Sequence, residues 1–170
     1  MNRIIVILAT FFLVSCTSDE KGNEQVIDNN ISNINVNFQS FKPSNTADHL
    51  YTTLTTGINN GQANERSFVL RQVDNGLNSG NASMDIRIVY PTSQSSVNGT
   101  YTFSTSNQPS NSVAVGQFGT DSYLYDFKSG SVIITELGSN KYKIEFQNTK
   151  IGPFGTLEIP VTGYFDGKFN

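Results

Sequence analysis

His49 is the only imidazole in the chain, and the body offers no cysteine to pair with it. A zinc site of the catalytic kind usually takes at least two histidines or a thiolate set, and neither is available. A serine nucleophile would need His49 as its base, yet the sequence holds no Gly-x-Ser-x-Gly elbow. Glycoside hydrolysis requires two carboxylates facing across a cleft. Glu136, Glu145 and Glu158 instead stand at regular strand positions among polar neighbours, the pattern of a solvated sheet face. A hard cation wants six to eight oxygens. Asp74, Asn78 and Asp85 supply three candidate side chains, but Gly76 sits where a carboxylate or amide is needed and Asp85 lacks the reach of Glu. A long hairpin loop accounts for the same residues. No catalytic residue, resident metal or cofactor is expected.

The aromatic content is more suggestive. The chain has seven Tyr and twelve Phe but no Trp. Tyr51, Tyr123, Tyr125 and Tyr164 are the candidates for a ligand surface, because tyrosine joins a flat apolar face to a hydroxyl. Packing at the edge of the core is the competing explanation. Without Trp, carbohydrate recognition lacks its largest stacking surface.

The amino terminus sets the chain's destination. Met1-Asn2-Arg3 precedes an apolar run from Ile4 to Val14 broken only by Thr10, the pattern of a secretory signal peptide. The run falls short of the ~20 residues that a membrane-spanning helix needs. Its end, Leu13-Val14-Ser15-Cys16, resembles the lipobox of bacterial lipoproteins. That resemblance implies that Cys16 becomes the first mature residue and carries two or three acyl chains. More than one chain makes membrane attachment stable. Ser18-Asp19-Glu20 resembles the Ser/Lys-plus-acidic tag that sends lipoproteins to the outer face of the outer membrane in some Gram-negative bacteria. The alternatives are a plain solvated tether and a domain on the periplasmic face. The expected division is therefore signal peptide 1–15, lipidated cysteine and flexible tether 16–32, and a folded body 33–170.

The body is large enough to bury a core without staples, and the absence of cysteine after Cys16 rules out a disulfide framework. Its net charge, −3 for the full chain, comes without basic clusters, which argues against nucleic acid as a partner.

The elements that must position these residues read as strands. Ile34, Val36 and Phe38 alternate with polar residues. Segments 49–56, 66–73 and 84–90 follow, the last with Met84, Ile86, Ile88 and Tyr90 on one face. Tyr123, Tyr125 and Phe127 share a face, as do Tyr142, Ile144 and Phe146 after a three-residue connection Gly138-Ser139-Asn140. Leu157 to Phe169 forms a comb of odd-numbered apolar residues in which Gly163 marks a bend. No segment outside the leader shows three turns of helical period. The expectation is an all-β body, an antiparallel sandwich or barrel of about nine or ten strands. Gly130-Ser131-Val132-Ile133-Ile134-Thr135 followed by Lys141-Tyr142 and Phe146 resembles small bacterial lipoproteins of unknown function, and implies no activity.

The functional expectation is an outer-membrane, surface-facing, non-enzymatic binding or structural module, held to the membrane by its lipid and engaging a surface partner or ligand of unspecified identity. A small-ligand carrier with a lipocalin-like barrel is the alternative. A hydrolase with an unrecognised site comes third.

Overall fold

A computed structural model describes residues 30–73, 80–105, 112–153 and 157–170. The leader, Cys16, the Ser18-Asp19-Glu20 tag, Asp74 and Asn78 lie outside the described residues. The strands are β1 (Ile31–Ser32), β2 (Asn35–Val36), β3 (Gln39–Ser40), β4 (Leu50–Gly57), β5 (Ala63–Gln72), β6 (Ala82–Pro91), β7 (Gly99–Phe103), β8 (Val113–Thr120), β9 (Leu124–Gly138), β10 (Lys141–Gly152) and β11 (Ile159–Lys168). All belong to one sheet in the order β3-β2-β11-β10-β9-β7-β8-β6-β5-β4, with β1 also on β11. The sheet curls into a half-barrel. The all-β expectation holds, but the sheet is mixed and not purely antiparallel. β7 and β8 pair in parallel at Thr102–Val113 and Phe103–Ala114. A tight hairpin would force antiparallel pairing. Here the overlap is short, the end of β7 lying against the start of β8, so little length of strand has to be retraced.

Three left-handed residues bend the longest strands. Gly130 (φ 86°), Asn148 (φ 49°) and Gly163 (φ 93°) stand where the β9–β10 and β10–β11 registers shift. A Cβ on Gly130 would collide with the Asn148 carbonyl, and one on Gly163 with the Asn33 carbonyl. These bulges turn the strands together and leave Thr149 buried, its hydroxyl donating to the Ser131 carbonyl at 2.8 Å. The bend expected at Gly163 is thus present, and it is shared by its neighbours.

The last two residues reach across the sheet's ends. Asn170 donates its N–H to the Leu50 carbonyl at 3.1 Å and accepts from the Thr52 N–H at 3.3 Å. Bonds that flank Tyr51 in this way are one rung of a parallel ladder. Beneath that rung Phe169 meets Phe68, Tyr142 and Phe165 edge-on, with ring centroids 5.3, 5.8 and 5.2 Å apart. Phe127 stacks between Phe103 (4.3 Å) and Phe146 (6.0 Å) in the other half of the core. Each such fully buried ring contributes roughly 1.5–3 kcal/mol through burial.

The amino-terminal edge departs from the simple alternation. Order reaches upstream of residue 33: Ile31–Ser32 pairs with Asp166 and Phe165, and the Asn30 carboxamide accepts from the Lys168 N–H at 2.7 Å. Ile34 and Val36 are buried as expected, but Phe38 is 88% exposed. Asn37 (φ 51°) and Phe38 (φ 64°) form the two-residue turn between β2 and β3, so the strand stops before Phe38 can turn inward. Phe41 enters the core in its place, 5.8 Å from Phe118. The β9–β10 connection is also shorter than expected. Gly138 pairs with Lys141, leaving Ser139 and Asn140, both left-handed, as the turn. At the carboxyl end Leu157 is exposed, and the buried comb begins at Val161.

Candidate functional site

Some of the sequence candidates meet at one rim, where β5 ends, β6 begins and β8 turns into β9. Register lines up Arg71, Ser83, Gly119 and Leu124 across four strands on the outer face. Ser83 is small and Gly119 has no side chain, so the middle of this row is a trough between the Arg71 and Leu124 walls. The trough is an open recess of about 590 Å³ and is also lined by His49, Val73, Asp121 and Tyr123. A second recess, about 370 Å³, opens on the inner side of the same rim among Val36, Phe41, Phe118, Tyr125 and Ile159. Asn81, Ala82, Thr120, Asp121 and Ser122 line both and form the ridge between them.

Hydrogen bonds fix that ridge. The Asn81 carboxamide donates to both Asp121 carboxylate oxygens, at 3.2 and 3.3 Å. The Thr120 hydroxyl accepts from the Ser122 and Tyr123 N–H groups at 3.3 and 3.1 Å. The turn is therefore tied to β6 and within itself, which holds Tyr123 and Leu124 outward at 65% and 63% exposure.

Three of the four candidate tyrosines gather here. Tyr123 and Tyr125 stack at 5.9 Å with their rings 20° apart. Tyr51 carries Arg71, whose guanidinium lies 5.6 Å from the ring centroid and donates to the phenol oxygen at 3.3 Å. Stacking on an aromatic face holds the cation without neutralising it. Tyr164 does not join them. It stands on β11 beneath the Lys143 ammonium, 5.0 Å from its ring centre.

The other candidates separate. His49 lines the trough with Nδ1 2.5 Å from the Thr46 hydroxyl. Glu145 pairs with Lys143 at 2.9 Å, Glu158 pairs with Lys150, and Glu136 accepts from the Tyr142 hydroxyl at 3.3 Å. Asp85 sits on β6 in the row Tyr51–Val69–Asp85–Gln117, one rung from the trough. Desolvation raises its carboxyl above the ordinary value, opposed by the charge of Arg71. Among the described residues no three His, Cys, Asp or Glu side chains cluster in a way that could hold a metal.

Sequence reasoning missed Arg71, Asn81 and Asp121. Alternation places Arg71 on an outward face, but only register sets it beside Tyr51 and across from Leu124. Arg66 was missed for the opposite reason. It shares the inward face of Phe68 and Leu70, and its guanidinium reaches over the buried Tyr142 ring at 5.9 Å. Compared with protein-family models, with curated proteins and with solved structures, the chain matches none.

Proposed function

We propose that this chain is an envelope-anchored, non-enzymatic binding module that engages its partner through the outer trough and the ridge beside it. The observation that carries the reading is the grouping of exposed Tyr123, Leu124 and Val73 with the Tyr51-stacked Arg71 around one recess. Contiguous exposed apolar surface marks interaction sites, and Tyr and Arg are the residues in which binding energy concentrates. The lipobox resemblance at Leu13–Cys16 supports attachment to the membrane, and Ser18-Asp19-Glu20 supports the exterior face. The Asn170 rung supports reading the body as a barrel in preference to a sandwich.

A photo-crosslinking residue at position 123, in intact cells, should yield a discrete adduct that weakens when Arg71 is replaced by Ala. The same residue at Leu137, exposed on the β9–β10 hairpin, is the control. Equal labelling from both positions would sink the binding reading. Anchoring is tested separately. Cys16→Ser should move the protein out of the membrane fraction, and Asp19→Ala with Glu20→Ala should reduce protease shaving of intact cells without altering abundance. Shaving of that variant at the wild-type level would discard the export tag.

The carrier alternative has the inner recess in its favour, since about 370 Å³ lies in the range of small-molecule sites. Phe41 and Phe118 fill the interior behind it, so a ligand there would sit at the mouth.

A further inference from the structure

The two ends of the sheet are guarded differently. At one end, β3 is two residues long, follows a left-handed turn and is succeeded by Pro43. Short strands, twists and prolines are the devices that keep edges from pairing. At the other end, β4 runs eight residues with the sequence Leu-Tyr-Thr-Thr-Leu-Thr-Thr-Gly, carrying no charge, no proline and no bulge. Its only strand partner among the described residues is β5.

The direction of its backbone groups is fixed by the bonds it already makes. The Leu50 N–H donates to Thr46, the Leu50 carbonyl accepts from Asn170, and the Thr52 N–H donates to Asn170, all on the side away from β5. Groups alternate along a strand, so the N–H and C=O of Leu54 and Thr56 point to that same side. Asn170 bonds on either side of Tyr51, and among the described residues nothing past that rung pairs with them. Leu54 is 46% exposed at this edge.

We infer that this edge pairs with the same edge of a second copy, antiparallel, about a two-fold axis at Thr55. In that register Leu54 of each copy opposes Thr56 of the other, and the four outward groups of one copy meet the four of its mate. Four hydrogen bonds form. Both partners present only Thr, Leu and Gly, so no like charges meet, and each Leu54 gains cover from the other copy's Thr56. The register also leaves Asn170 in place, because the partner strand has passed Gly57 before it reaches Tyr51. A second copy is the occupant argued for because the groups complement themselves without a third party. So short a pairing belongs to the weak, concentration-dependent class. The inference does not rest on the binding role of the rim.

The register makes the test specific. In the full chain carrying Cys16→Ser, position 55 can be made the sole thiol. Thr55→Cys then faces its copy in a non-hydrogen-bonded pair, with Cα atoms about 4.5 Å apart, inside the disulfide window. A disulfide-linked dimer should form under mild oxidation. Thr53→Cys opposes Gly57 of the mate and stands about 13 Å from its own copy, so it should not. Leu54→Pro removes two of the four bonds and should weaken the dimer about 30-fold in sedimentation. Since proline could also disturb the fold, Thr55→Lys serves as a second variant. It should abolish dimerisation alone and restore it when mixed with Thr55→Glu. A protein that stays monomeric at about 100 μM, well within the reach of weak interfaces, overturns the inference. So does cross-linking at positions 53 and 55 alike.

Discussion

Tyr123 and Phe127 lie on one strand run, on the same face, four residues apart. Phe127 is 1% exposed and stacked between two phenylalanines, whereas Tyr123 is 65% exposed and stacked on Tyr125 alone. Alternation assigns both to the inward face of β9 and its lead-in. What separates them is depth: the strand runs out to the rim of the curled sheet, and its comb passes from core to rim within two steps. The same pattern that builds the core also supplies the surface that we read as a binding site.

Replacing Phe127 with Ala is the sharpest way to break that comparison. It should cost about 3–5 kcal/mol, read as a fall in the denaturation midpoint, because the cavity lies between two packed rings. A loss comparable to that of Tyr123→Ala would mean that the two positions are not distinct environments. Gly163→Ala should come next, at about 1–3 kcal/mol, since it places a side chain in the left-handed region and against the Asn33 carbonyl. An unchanged midpoint would show that the bend does not depend on glycine there.

Tyr123→Ala and Leu124→Ala should each alter stability by no more than about 0.5 kcal/mol, as befits exposed positions. Their effect belongs in the cross-linking assay. The smallest expected effect is at Asp85. Its carboxyl is raised by desolvation, so the folded protein holds that proton more tightly than the unfolded chain does. Stability from this group is therefore present at low pH and lost as pH rises through the raised folded value. Asp85→Asn should remove that decline without changing the acid limb. A midpoint that falls in parallel for variant and wild type would place the pH dependence elsewhere.

Much of the body was legible in the sequence because burial and period coincide there. Met84, Ile86 and Ile88 on β6, and Tyr142, Ile144 and Phe146 on β10, are buried as their spacing indicates. The failures share one cause. Phe38 follows the same alternation, yet the chain reverses at Asn37, and local pattern carries no information about where a partner strand ends. Leu157 fails likewise, because it precedes the start of its strand at Ile159.

The candidate site was half legible. Tyr51, Tyr123 and Tyr125 could be named as candidates from their chemistry, but so could Tyr164, which stands elsewhere. Strand register decides between them, and register is a long-range property: Arg71 meets Leu124 only through β6 and β8, which are separated from each other in the chain by β7. By itself the sequence determined the all-β class and the inward faces of the long strands, because these follow from residue type and period. The parallel β7–β8 pair, the rung at Asn170, the open edge of β4 and the recesses at the rim were decided only in three dimensions. Each depends on which strand ends lie side by side, and that is set by the packing of the whole sheet.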